Sequence, residues 1–255
     1  MGRGGAAGVP LRAFSYGARA ELYDRARPDY PPHAASLLRA DLPIGQGTKR
    51  VADVGAGTGK LTLALAADGL DVDAIEPDPG MRAVLVARAP TVRVHAGRGE
   101  ALPLPDSSVD AVVYGNAWHW VDGAAGAREA ARVLRPDGIL AMLWNYEDES
   151  MSWVSELAEL IGSSSRNLAS PPVLQQFSPA QIRQTSWVRE QDVAALADYA
   201  LSHSGVAVLP DRRRAEVLAA VRRLATEHPD LRGRTRVEVP MHLLYWSYRR
   251  ASPTG

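Results

Sequence analysis

Short apolar runs alternate with longer helical patterns through the first half of this chain. Val51–Val54 reads as a buried strand, and Leu61–Leu65 opens a helix just after a glycine-rich turn. Asp71–Glu76 is the next strand; Asp78 and Pro79 then supply an N-cap and a first-turn proline for a helix over Gly80–Ala89. The apolar run Val109–Tyr114 predicts another strand, and a helix from about Gly123 to Leu134 leads through the turn Pro136–Gly138 into a strand over Ile139–Trp144. Such a βαβα order is the first half of a doubly wound sheet.

The second half is less regular. Glu149–Asp198 is helical in part, is interrupted by Ser163–Ser165 and Pro171–Pro172, and is not needed to complete the sheet; it is expected to cover a substrate pocket. Val217, Leu218, Val221 and Leu224 recur at helical spacing within Asp211–Glu227. Val237–Arg249 alternates like an edge strand, with Pro240 breaking its first part.

The turn between the first strand and helix carries the chemistry. Gly55, Gly57 and Gly59, with Ala56 between the first two, let the backbone take positive φ and approach a ligand closely. A dinucleotide site favours G-x-G-x-x-G facing a pyrophosphate, whereas this loop runs G-x-G-x-G with Asp53 two residues ahead. A carboxylate there repels a pyrophosphate and attracts an ammonium group, which S-adenosylmethionine (SAM) carries. Glu76, at the end of the second strand, stands where an acid accepts hydrogen bonds from ribose hydroxyls, with Pro77 after it and Met81 toward the adenine.

Composition narrows the partners. With 255 residues and 46% hydrophobic content the chain can bury a full core, and one α/β domain over 13–255 is the natural reading. Residues 1–12 read as a flexible tail rather than a signal peptide, 13–40 as an N-terminal helical lid and 149–198 as the cover. Twenty-nine basic and 29 acidic side chains balance, which argues against nucleic acid. Cysteine is missing, so thiolate metal sites are excluded; the isolated His95, His203 and His242 lack ligand spacing, and no metal is expected. No run is long and apolar enough for a membrane helix, and a cytoplasmic monomer or homodimer is expected.

Four stretches together resemble one family: Val51–Leu61, Ala74–Asp78, Gly97–Asp110 and Arg132–Gly138. In this order they are similar to the class I SAM-dependent methyltransferases of the small-molecule group called methyltransferase type 11. The resemblance implies a Rossmann-like, doubly wound, seven-stranded and mostly parallel sheet with an antiparallel last strand, SAM as cofactor and S-adenosylhomocysteine as its product. In one respect the chain departs from the family. Arg98 stands where many relatives have an aspartate that accepts from the adenine amino group, and arginine accepts nothing. Either Glu100 or a backbone carbonyl takes over, with the backbone of Arg98 and Gly99 the favoured choice, or Arg98 stacks on the ring.

After the fourth strand, Gly115–Asp122 occupies the family's place for cofactor and catalytic contacts. Asn116 and Ala117 are expected to meet the cofactor through their backbone, Trp118 to form a pocket wall and Trp120 to enter the core. His119 is the candidate general base, and an Ala-x-His-Trp sequence here resembles the trans-aconitate-methyltransferase-like branch. The segment Phe14–Pro32 resembles the family's Tyr-x-x-x-Arg-Pro-x-Tyr-Pro stretch. Tyr23 and Arg27 share a helix face, so Arg27 is expected to pair with the cofactor carboxylate and Tyr23 or Tyr16 to close over the sulfonium. Trp144, Asn145 and Tyr146 end the fifth strand as candidate pocket lining. Trp118, Trp120, Trp153, Phe177 and Trp187 favour a planar or apolar small acceptor such as an indole, and a small carboxylic acid is the alternative. A nicotinamide-dependent oxidoreductase, a nucleic-acid or protein methyltransferase and a non-catalytic SAM-fold protein are the rivals.

Overall fold

A computed structural model of the chain describes residues 17–42, 47–163 and 170–251; the expected tail and Tyr16 lie outside them. The chain divides into two compact units. The first comprises Asp29–Asn145, Ser170–Thr185 and Leu243–Gly255, the second Met1–Pro28, Tyr146–Ala169 and Ser186–His242.

Two helices precede the sheet, α1 (Ala20–Ala26) and α2 (His33–Asp41). Then β1 (Arg50–Val54), α3 (Lys60–Ala67), β2 (Asp71–Ile75), α4 (Pro79–Arg88), β3 (Arg93–His95), β4 (Val109–Gly115), α5 (Gly123–Val133) and β5 (Leu134–Glu147) alternate as the hydrophobic pattern predicts. Neighbouring pairs among these five strands are parallel. With β6 (Gln181–Asp192) and β7 (Arg236–Arg249) they form a seven-stranded sheet of order β3-β2-β1-β4-β5-β7-β6. Asp148 N donates to Pro240 O at 2.8 Å and Arg250 N to Gly138 O at 2.9 Å, so moving forward along β5 means moving back along β7. The last strand is therefore antiparallel, as expected.

Residues on β1, β4 and β5 alternate between the sheet's faces. Ala52, Val54, Val112, Tyr114, Leu140 and Met142 share one core cluster with Ala127, Ala130 and Val133 of α5. The continuous burial of β4 is what a central parallel strand covered on both faces requires. Asp78 accepts from Gly80 N and Met81 N at the start of α4, and Asp122 from Ala125 N at the start of α5, satisfying donors the helices leave open.

In the second unit, α6 (Ser152–Ile161), α7 (Leu196–Leu201), α8 (Ser204–Ala207) and α9 (Asp211–Glu227) contribute to a core of their own. Trp153, Val154, Leu157 and Ile161 meet Val217, Val221 and Leu224 there, while Leu218 is only partly buried against them.

Two expectations about the second half need correction. The stretch 149–198 is not dispensable to the sheet, because it contains β6. Nor is β7 the edge strand, since β6 lies outside it. The reason lies in composition: β6 is mostly polar, alternates between exposed and half-buried positions up to the buried Gln191, and so gives little hydrophobic period to read. β5 also starts earlier than expected, at Leu134. Val109 pairs with Leu134 and Ala111 with Ile139, so the Pro136–Gly138 turn is a bulge within the strand, with Asp137 at φ 61°.

Charge ties the far side of the sheet together. Asp73 on β2, fully buried, accepts from Arg50 Nε at 2.6 Å, Arg93 Nε at 2.9 Å and His95 Nε2 at 2.8 Å, bracing β1 and β3 against β2. Burial opposes its ionisation, but hydrogen bonds from Arg93, Arg50 and His95 prevail and hold the carboxyl well below the usual range. Asp73→Asn is expected to lower unfolding stability by about 3 kcal/mol, toward the low end because both arginines keep solvent contact. Because the folded pKa is depressed, the wild-type margin over the variant is present above the ordinary aspartate value of about 3.9. It shrinks as pH falls below that value, which denaturant titrations of the two proteins would show.

Candidate active site

The glycine turn follows β1 and is pinned by backbone bonds to the end of β2: Gly55 N and Ala56 N both donate to Ile75 O, at 2.8 and 3.1 Å. All three glycines have positive φ, 69°, 59° and 89° for Gly55, Gly57 and Gly59. Their surroundings differ. A Cβ on Gly55 would come within 2.7 Å of Ala117 Cβ, and one on Gly59 would overlap Leu85 Cδ1. One on Gly57 would meet nothing within 4 Å. Internal packing requires the first and third glycines, whereas the second faces open space.

Two buried carboxylates flank this turn. Glu76 Oε2 accepts from Gly57 N and Oε1 from Asp78 N, both at 2.8 Å, so one side chain fixes the glycine turn and the start of α4. Burial raises the Glu76 pKa against the pull of those two amides. Asp53 is 1% exposed, and its Oδ2 accepts from Thr62 Oγ1 at 2.6 Å. Among the described residues its Oδ1 has no hydrogen-bond partner, and neither has the buried Thr58 Oγ1. Burial pushes the Asp53 carboxyl up to about 7; the Thr62 hydroxyl opposes the shift and the Glu76 charge adds to it. An orphaned buried acceptor on the strand that leads into the glycine turn fits a ligand that brings a donor and no phosphate.

The turn after β4 is tied just as firmly. Asn116 has φ 51°, its Oδ1 accepts from Asn145 N at 3.2 Å and its Nδ2 reaches Asn145 O at 3.4 Å. Asn145 Nδ2 in turn donates to Asp29 O at 3.1 Å, and Asp29 Oδ1 pairs with Lys60 Nζ at 2.8 Å at the start of α3.

Residues 52–142 match the Methyltransferase domain family. An uncharacterized methyltransferase of Mycobacterium tuberculosis is 41% identical over 229 residues, which cover 89% of this chain and 92% of that protein. The chain belongs to the methyltransferase family. An uncharacterized methyltransferase of Schizosaccharomyces pombe is 36% identical over 140 residues, covering 54% of this methyltransferase and 55% of that protein. A solved structure from Anaeromyxobacter dehalogenans, provisionally assigned as a type II methyltransferase, has a TM-score of 0.61 at 23% identity over 88% of this chain and 97% of its own, which establishes the common fold. The enzyme is thus a SAM-dependent methyltransferase.

Within the first unit of the methyltransferase, Asp53, the glycine turn, Glu76, Pro77 and Met81 gather at the ends of β1 and β2, with Met81 buried. Arg82, which no local pattern marks, donates to Glu76 O and Pro77 O at 2.8 and 2.7 Å and stiffens that corner. Thr62 is likewise marked only by its hydrogen bond to Asp53. Arg98 is exposed and forms a bridge with Ala101, whose N donates to Arg98 O at 3.1 Å. Glu100 Oε1 accepts from Asp122 N at 2.9 Å, so that carboxylate already anchors the start of α5. Gly99 is buried, and a Cβ there would crowd Val121 at 3.0 Å.

Of the two tryptophans expected at this turn, Trp118 and not Trp120 enters the core. Trp118 is 9% exposed, its ring set edge-on to Tyr114 at 4.9 Å in the core cluster that also holds Ala127 and Ala130 of α5; Trp120 is only half-buried. His119 is exposed, with its ring 4.7 Å from that of Trp120. Trp144 packs on Trp246 at 4.2 Å, and Asn145 is buried.

Tyr146, Tyr23 and Arg27 belong to the second unit. Tyr146 lies against His242, and Arg27 Nη1 bonds His203 Nε2 at 3.0 Å while its guanidinium lies 5.6 Å from the Tyr23 ring.

The unequal glycines lead to unequal variants. Gly59→Ala is expected to lower the melting temperature markedly, because positive φ and the Leu85 clash act together. Gly57→Ala costs only the left-handed backbone term of about 1–2 kcal/mol, yet weakens S-adenosylhomocysteine binding. Thermal melts paired with calorimetry on each variant would separate the two effects.

Proposed function

We propose that this methyltransferase transfers the SAM methyl group to a small molecule, with the cofactor's amino end at Asp53 and its ribose at Glu76. The observation that carries this reading is Asp53 Oδ1, buried and without a hydrogen-bond partner among the described residues, two residues ahead of a turn in which Gly57 faces open space. When bound, the cofactor supplies an electrophilic methyl group. The chain's task is then to hold an acceptor in line and exclude water. Gly57, Asn116 and Ala117 present backbone to the cofactor, the Arg98–Gly99 backbone serves the adenine, and Trp144 and Asn145 line the acceptor's side. His119, exposed on its turn, is the candidate base.

The acceptor class rests on thinner support. Trp118, Trp153 and Phe177 pack into cores, leaving Trp120, Trp144 and Trp187 as half-buried rings to favour a planar natural-product acceptor. A carboxylic acid, as in the trans-aconitate-like branch, is the second reading. An acceptor that must lose a proton needs His119, and one already anionic does not.

Two measurements test the reading. Asp53 must ionise to meet an ammonium group, so S-adenosylhomocysteine affinity is expected to rise as pH increases through about 7, with proton release seen by calorimetry in buffers of different ionisation enthalpy. Asp53→Asn removes both the pH dependence and most of the affinity; an unchanged profile in that variant would refute the assignment. For a proton-losing acceptor, His119→Ala is expected to lower kcat by about 10²–10⁴-fold while cofactor affinity holds. Equal turnover by both proteins would reduce His119 to a structural role.

A further inference from the structure

Asp29 and Tyr30 open the first unit as a short strap ahead of α2, stiffened by the prolines at 31 and 32 that follow. The strap is fastened at three points. Its Asp29 carboxylate, 68% exposed, accepts from Lys60 Nζ at 2.8 Å and lies 3.5 Å from Arg88 Nη2; Lys60, at the start of α3, is only 9% exposed. The Asp29 carbonyl accepts from Asn145 Nδ2 at 3.1 Å, at the end of the first unit's share of β5. Tyr30 is half-buried, with its hydroxyl as a buried end. That end lies against Gly115, the last residue of β4: a Cβ there would come within 2.8 Å of Tyr30 Oη, 3.2 Å of its Cζ and 2.9 Å of Leu61 Cδ2. Only a glycine leaves room for the phenol at this point.

These fastenings set the ring at the cofactor turn. Asp53 pairs with Val113 across β1 and β4, so Gly115, two residues further on, follows beside Gly55, the first glycine of the turn. Tyr23, expected to close over the sulfonium, belongs to the second unit, whereas Tyr30 shares the first with Asp53, the turn and Glu76. An aromatic face attracts a cation and gives a neutral thioether no comparable gain. Resting on the reading that SAM lies with its amino end at Asp53 and its ribose at Glu76, we propose that Tyr30 contacts the sulfonium and that Lys60, acting through Asp29, is the positioning residue that holds it there. The contact is selective. It favours the charged methyl donor over its neutral product, so the site loosens its hold once the methyl group has left.

The test titrates the full chain calorimetrically with SAM and with S-adenosylhomocysteine, without an acceptor. Tyr30→Leu is expected to lower SAM affinity about fivefold or more while S-adenosylhomocysteine affinity holds, and Tyr30→Phe, which keeps the aromatic face, to preserve the ratio of the two. Lys60→Met decides the positioning role by sign. Loss of a nearby cation would alone raise the preference for a cationic ligand, whereas loss of positioning lowers it; a fall of about twofold or more is expected. Methionine matches the packed lysine stem, so this variant keeps the test open should Tyr30→Leu fail to fold. Equal loss of both affinities in Tyr30→Leu, no loss of either, or a ratio that falls as far in Tyr30→Phe would overturn the sulfonium contact. An unchanged or raised preference in Lys60→Met would overturn the role of Lys60. Failure of the unaltered chain to bind either ligand would instead strike the methyltransferase reading.

Discussion

The cofactor half of this protein depends on one buried carboxylate with two backbone clients. Glu76 accepts from Gly57 on one side and Asp78 on the other, so the turn after β1 and the helix start after β2 share an anchor. Without it, two amides at the mouth of a parallel sheet would compete for water where a ligand has to lie. The cost is a negative charge in a dry place, and the amides offset only part of it, since burial still raises the Glu76 pKa. Asp53, close enough to feel the same charge, is left with one oxygen unspent. The site is thus rigid where it serves itself and unsatisfied where it serves a partner.

How much of this the sequence disclosed depended on whether the signal was local. β1, β2, β4, α4, α5 and α9 were legible because apolar period, cap and turn residues agree within each segment. The glycine turn was legible as a ligand turn, but its division of labour was not: that Gly59 answers to Leu85 and Gly55 to Ala117 depends on contacts from distant segments. That Trp118 rather than Trp120 is the more buried ring depends likewise on another segment, since it shares its core cluster with Ala127 and Ala130 of the next helix. β6 escaped because a polar edge strand has almost no hydrophobic pattern to show. Glu100 looked free from its position and is in fact committed to Asp122.

Charge is placed differently in the two units. In the first, Asp73 is surrounded by cations that complete its hydrogen bonds, a closed arrangement suited to holding strands together. In the second, the nearly buried Arg189 of β6 has no hydrogen-bond partner for its Nε among the described residues, an arrangement that stability alone does not favour.

The turn's three glycines also carry a consequence for descent. Two of them are held by the fold itself, so a descendant that abandoned its cofactor would still be obliged to keep them. Only Gly57 would be released to drift. Among relatives sharing this fold, the middle glycine is therefore the position whose loss marks a change of trade, while its neighbours record only that the sheet and its helices still pack.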